Sequence, residues 1–279
     1  MNTPTRLFTA GLCTTVLTIA AWAYASTVNP TTVTTTSLNA SDELAKMEND
    51  PVVAPDPKRD AITVYVLNAM REWNRGPMAG KATHLEEIAR DIVVVALDEP
   101  RIWKDSDGAQ EAILLARIAW FETRFRDYVD DGSCQVWAKI CMTWGSGCNL
   151  KKLSQEQATL MTLGTCDGGL AIGLHQVHYP YTGIALMPDG SWHNADYFTK
   201  APREIVKRED ALTTPTMSAE ERSKHRQTNM RVALAMARQS IQNGAGLMAY
   251  VGGDGPERVS MAAQRLDSAR AWSAKHPFK

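Results

Sequence analysis

Residues 218–244, SAEERSKHRQTNMRVALAMARQSIQNG, leave little choice of local structure. Ser218 followed by Glu221 is a capping box, in which each side chain satisfies the other residue's free backbone N–H at a helix start. Met230, Leu234, Ala237 and Ile241 then recur at i, i+4, i+7 and i+11, one apolar stripe along a helix that ends at Gly244. A helix with such a stripe must be laid against other apolar elements, and the same pattern recurs along the chain.

DAITVYVLNAMREWNRG places Ile62, Val66, Ala69, Met70 and Trp73 on one helical face, with Asp60 as the expected N-cap and Gly76 as the stop. THLEEIARDIVVVALDEP opens with a capping box, Thr83 and Glu86, and closes before Pro100; its IVVVAL run, taken alone, also suits a strand. SDGAQEAILLARIAWFETRFRDYV predicts a helix over roughly 108–127. SQEQATLMTLG carries another box, Ser154 and Gln157, and a last helix is expected over about 257–274. Helix signals outnumber strand signals, so the fold class is mainly α, with no internal repeat. The length of 279 residues suffices for one or two domains with a sizeable core. A net charge of −1 gives no electrostatic reason to expect a nucleic-acid partner.

Arg6 is followed by LFTAGLCTTVLTIAAWAYA, residues 7–25, which carries no charge and is long enough to cross a bilayer as a helix. It ends in Ala23-Tyr24-Ala25, a pattern that a signal peptidase cuts. Residues 1–25 therefore read as a signal peptide, or, if uncleaved, as an N-terminal membrane anchor; either way the rest is exported. Cys13 follows bulky Leu12 and does not suit lipid attachment. Residues 26–58, rich in Thr and Pro, read as a flexible linker, and the folded domain is expected over 59–279.

Export decides how the remaining cysteines read. Cys134, Cys141, Cys148 and Cys166 are even in number and clustered, which suits two disulfides in an oxidising compartment. Three pairings are open. Their spacings of 7, 7 and 18 match no common zinc module. His175 and His178 are three apart but lack an evident third ligand, so neither metal nor other cofactor is expected.

One acid stands out. In IAWFETRF, residues 118–125, Glu122 has Ile118, Ala119, Phe125 and Arg126 as its helical neighbours. A carboxylate there must be paired, partly wet or protonated. Arg126 offers an ordinary surface ion pair. The other reading is a general acid with its pKa raised by apolar walls, as used to cleave glycosidic bonds.

Downstream, GGLAIGLHQVHYP (168–180) carries Gly168, Gly169 and Gly173 ahead of Gln176; NMRVALA starts at Asn229, and LMAYVGG runs over 247–253. With ARIAWFETRF, these blocks resemble, in order, the lytic transglycosylases that carry the soluble lytic transglycosylase catalytic domain, relatives of goose-type lysozymes. The resemblance covers roughly residues 108–275 and implies a lysozyme-like helical fold. It implies that Glu122 is the single catalytic acid/base, and that Thr123, Gly173, Leu174, Gln176 and Tyr250 line or orient the sugar site. The implied substrate is the peptidoglycan glycan strand, cut between N-acetylmuramic acid and N-acetylglucosamine to leave 1,6-anhydro ends. Thr123 stands where the family has Ser, His175 where it has Met, and Val251 where it has Asn. Glu122 and Gly173 are 51 positions apart, more than the family needs, so residues of about 129–168 are expected to be a disulfide-stapled insertion.

Trp137 and Trp144 lie in that insertion and are expected to pack within it, with sugar stacking as the alternative. Tyr179 and Tyr181 read as groove or core residues, with the groove favoured because the turn precedes them. Asp127, Asp130 and Asp131 are expected to solvate a helix end and a turn; as a second carboxylate, one of them would make the enzyme a hydrolysing muramidase instead. The charges in 202–231 read as a solvated face. A non-catalytic peptidoglycan-binding or assembly protein on the same fold is the remaining alternative. Arg126 is expected to point away from Glu122, since a cation against the acid would lower its pKa.

Overall fold

The computed structural model describes residues 56–75, 82–143, 147–162, 171–196, 200–250 and 255–279. Expectations on residues 1–55 and on Trp144, Cys166, Gly168, Gly169 and Val251 lie outside them, as do the side chains of Cys148 and Tyr250. Among the described residues no helix is long and apolar enough to cross a membrane.

The chain is mainly helical, as its stripes predict. Helix α1, Pro57–Trp73, starts earlier than expected. Asp56, not Asp60, is its N-cap, accepting from the N–H groups of Lys58 and Arg59, and Pro57 takes the first turn, where a missing N–H is harmless. The helix ends at Asn74, before Gly76. Helix α2, Leu85–Asp98, resolves the IVVVAL ambiguity in favour of helix, with Ile88, Ile92 and Val95 on its buried face. Its expected Thr83–Glu86 box is absent. Both the N–H and the hydroxyl of Thr83 donate to Asp127 instead, at 2.8 and 3.0 Å, so a tertiary partner displaces the local cap.

Helix α3, Ala109–Thr123, follows Gly108 and stops four residues short of the expected end. Arg124 and Phe125 both adopt left-handed backbone, φ 55° and 53°, which turns the chain out of the helix. Each such residue costs roughly 1 kcal/mol or more. Phe125 becomes fully buried by that turn, worth about 1.5–3 kcal/mol, which offsets much of the strain.

Two short helices follow, α4, Asp127–Asp130, and α5, Ser133–Cys141. The pair β1, Met142–Thr143, and β2, Gly147–Cys148, leads through a 3-10 turn to α6, Gln155–Thr162, which keeps its expected box: Gln157 N–H donates to Ser154 and Ser154 N–H to Gln157. This region has its own small core of Val129, Cys134, Ala138, Cys141 and Met161, with Trp137 packed against it and stacked on Tyr128 at 5.5 Å. Cys134 and Cys141 are buried and disulfide-bonded. Seven residues apart on one helix, they stand about 10 Å apart along its axis, too far to bond each other. Among the four cysteines considered, one of the three pairings is thereby excluded.

Strands β3, Ala171–Ile172, and β4, Val177–His178, form a tight antiparallel pair. Strand β5, Ile184–Leu186, lies between β6, Trp192–Asn194, and β7, Glu204–Val206. Helix α7, Arg208–Ala211, precedes α8, Ala219–Gln242, whose Ser218–Glu221 box forms as expected. Met230, Leu234 and Ala237 are buried along its stripe and Ile241 is partly so. After a 3-10 turn, Met248–Tyr250, helix α9, Pro256–Lys275, closes the fold. Helix α3 is central: α1, α2, α8 and α9 all pack on it, and its Ile113, Leu114, Leu115 and Ile118 are fully buried.

Two charge readings are corrected. Asp130 does not solvate a helix end, and Arg226 is not on a solvated face. Arg226 of α8 is 3% exposed and donates to both carboxylate oxygens of Asp130, at 2.7 and 2.8 Å, and to Asp91 of α2 at 2.5 Å. Helical spacing put Arg226 among charged neighbours, but packing of α2 and α4 against α8 encloses it, and burial of a charge requires such partners.

Candidate active site

Glu122 sits in the last turn of α3, where the left-handed pair Arg124–Phe125 bends the chain away. Ile118 and Ala119, one turn earlier on the helix, are fully buried, and so is Phe125 beyond its end. The cation on it is a different one from the candidate in the sequence. Arg126 donates to the Tyr128 hydroxyl, 3.1 Å away, and the helix has ended before it could fold back as an i+4 partner. Arg265 of α9 donates from Nη1 to Glu122 Oε1 instead. Both side chains are largely enclosed, 16% exposed for Glu122 and 11% for Arg265. Burial pushes the Glu122 carboxyl above the ordinary range; the charge and hydrogen bond of Arg265, then the charge of Arg124, pull it back without cancelling the effect. The acid is therefore biased toward its protonated form although a guanidinium touches it.

Thr123, the next residue, ties α3 to the 173–176 turn. Its hydroxyl bonds to the carbonyls of Ala119 at 2.9 Å and Leu174 at 3.1 Å. Thr123 and Leu174 are both buried, so they hold the site together and are not themselves presented to a ligand. The turn needs its glycine: Gly173 has φ +69°, and a Cβ there would lie 2.6 Å from Asn229 Oδ1. Asn229, at the middle of α8, in turn donates to Ile172 O and to the Tyr179 hydroxyl, at 3.3 and 3.4 Å. Gln176 also has a positive φ, 48°, and its amide donates back to Gly173 O at 2.9 Å, so the glutamine braces its own turn. Gly173→Ala is expected to cost about 1–3 kcal/mol, because it adds both a strained backbone and a clash. A thermal melt of the variant checks this, and an unchanged midpoint would show that the turn is looser than drawn.

Of the two readings of Tyr179 the core one describes its packing: it lies partly buried against the main core, and burial raises its hydroxyl well above the usual range. Tyr181 is fully exposed. Tyr250 ends the 3-10 turn, Met248–Tyr250, that follows α8. Asp127 is occupied by Thr83, Asp130 by Arg226, and Asp131 by the Ser133 N–H at 2.7 Å. Among the described residues no three His, Cys, Asp or Glu side chains group as metal ligands.

His175, where the resembled family has Met, is buried under the turn and donates from Nε2 to Leu115 O at 3.1 Å. Burial pushes its pKa down to about 4, against the pull of that carbonyl. Unfolded, the imidazole takes a proton below about pH 6.5; folded, it refuses one until about pH 4. The stabilisation is thus complete above pH 6.5 and lost as pH falls toward 4, about 3 kcal/mol in all. His175→Met is expected to flatten the dependence of the urea midpoint on pH across that window. An unchanged slope would place the proton elsewhere.

The sequence missed Arg265 and Arg124 as the cations that act on the acid. Arg265 carries no local signal, since it lies 143 positions from Glu122 and only the packing of α9 on α3 joins them. No protein-family model matches the chain, and neither a curated protein nor a solved structure matches it.

Proposed function

We propose that the chain is an exported peptidoglycan lytic transglycosylase that cuts the bond between N-acetylmuramic acid and N-acetylglucosamine and leaves 1,6-anhydro-muramic ends. One observation carries the reading: Glu122 is an enclosed carboxyl biased toward protonation, bonded through its neighbour Thr123 to the Gly173–Gln176 turn. In this mechanism Glu122 first donates its proton to the leaving glycosidic oxygen. The resulting carboxylate then takes the proton of the muramyl 6-hydroxyl as that oxygen attacks C1, closing the anhydro ring and restoring the acid. Arg265 stabilises Glu122 while it is ionised, between the two steps.

A hydrolysing muramidase needs a second group to activate water. The engagement of Asp127 with Thr83 and of Asp130 with Arg226 favours the single-acid route over that one. Export rests on residues 7–25 and is supported by the disulfide-bonded state of Cys134 and Cys141, which fits an oxidising compartment. The test is digestion of purified sacculi followed by mass spectrometry of the fragments. Anhydro-muramic ends are expected. Reducing muramic ends would point to a hydrolase, and intact sacculi to a binding protein.

A further inference from the structure

Glu122 is outnumbered. Three guanidiniums share the aromatic platform of Trp120 and Phe121 beside it. Arg117 lies 4.4 Å from the Trp120 ring centre, 4.7 Å from that of Phe121 and 4.6 Å from that of Trp73. Arg124 lies 3.5 Å over Trp120 and 5.9 Å from Phe121, and Arg265 lies 5.5 Å from Phe121. Arg265 is paired with Glu122. Arg117 and Arg124 form no ion pair among the described residues; they donate only to neutral oxygens, Ser268 Oγ at 2.9 Å and Trp120 O at 3.1 Å. Arg126, bonded to Tyr128, adds a fourth positive charge acting on Arg124. Desolvation and then the charge of Arg124 depress Arg117 to about 10; desolvation and then the charges of Arg126 and Arg265 depress Arg124, against the opposing pull of Glu122. Trp120, Phe121, Arg117 and Arg124 all remain partly open to solvent.

Cations gathered on ring faces and partly desolvated, with a single enclosed carboxyl, Glu122, among them, form a binding site for a further anion. Guanidiniums hold carboxylates and phosphates through paired N–H bonds, and of these two the muramyl glycan strand offers the carboxylate. We propose that Arg117 and Arg124, on the Trp120–Phe121 platform, are a carboxylate-binding subsite beside Glu122 that selects acidic over neutral β-1,4-linked glycans. The inference rests on the functional reading above in taking the ligand to be a glycan. In such a strand the carboxylate is either the lactyl group of muramic acid or the end of a peptide attached to it. The aromatic faces bind the cations, so the platform is rigid before the ligand arrives, which limits the ordering cost of binding.

The test is equilibrium binding to the full chain carrying Glu122→Gln, which holds substrate without turnover. Three ligands of equal length are compared: a muramic-acid-containing oligosaccharide without peptide, the same with peptide, and a neutral N-acetylglucosamine oligomer. At least tenfold tighter binding of an acidic ligand is expected, weakening as salt is added. Adding Arg124→Gln should remove most of that preference and leave the neutral oligomer unchanged; Arg117→Gln, with its folding checked by circular dichroism, should do the same. Preference for the peptide-free acid assigns the lactyl group, and preference only for the peptide-bearing one assigns the peptide end. Equal binding of acidic and neutral ligands, or equal weakening of both in Arg124→Gln, would overturn the subsite. The outcomes separate from those of the cleavage assay: intact sacculi with acid-selective binding defeat the enzyme reading alone, and cleavage with charge-blind binding defeats the subsite alone.

Discussion

Glu122→Gln is expected to abolish cleavage of purified sacculi, a loss of about a thousandfold or more, while the chain stays folded. A positioned general acid or base contributes roughly 10²–10⁴ to a rate, and on the proposed route the same carboxyl serves in both roles. The amide keeps the size of the side chain and an oxygen that can accept from Arg265, so the contact between α3 and α9 is retained in form. Near-native circular dichroism and thermal midpoint should accompany the loss. Release of soluble fragments at more than about a tenth of the normal rate would remove Glu122 from the chemistry, since a lost acid cannot cost so little. Burial raises the Glu122 carboxyl, the direction a general acid needs, and the variant removes the titrating group altogether.

Arg226→Met is expected to give the largest loss of stability, about 3–5 kcal/mol, because it strands the enclosed carboxylate of Asp130 and leaves Asp91 with only the neutral donors Ser223 and Gln227. For a domain of this size that is a fall in thermal midpoint of roughly 10 °C, read by calorimetry. The pH dependence gives the cause. Desolvation already holds Asp130 above the usual carboxylate range, with Arg226 the main opposing influence. Without Arg226 the carboxyl rises further. A group raised in the folded chain favours folding where it is protonated, so the variant should regain stability as pH falls through that raised pKa. A deficit that stays the same from pH 7 to pH 4.5 would mean that lost packing, not stranded charge, is responsible. The triad also ties α4 to α2 and α8 just after the chain leaves the Glu122 turn, so its loss should loosen the site as well.

Periodicity made most of the helices legible. The stripe over 230–241 and the boxes at Ser218 and Ser154 survive unchanged, because each is local: cap and partner lie three residues apart, and the apolar face follows from the helical repeat alone. The Thr83 box failed for the opposite reason. Its N–H and hydroxyl had a better partner in Asp127, 44 positions away, which no local rule can see. The end of α3 failed similarly: the burial of Phe125 is a tertiary gain, and it is set against two left-handed residues that no propensity would choose.

The sequence by itself determined that this chain is built of amphipathic helices, that Glu122 stands among apolar neighbours, and that a glycine-bearing turn ending in Gln176 follows it. Those properties depend on residues within a few positions of one another, where backbone geometry fixes who meets whom. Tertiary structure alone decided which charges meet. It put Arg265 rather than Arg126 on the acid, enclosed Asp130 with Arg226, and set Arg117 and Arg124 on one aromatic platform. Charges act through space and through burial, and both depend on helices that are distant in sequence being packed side by side.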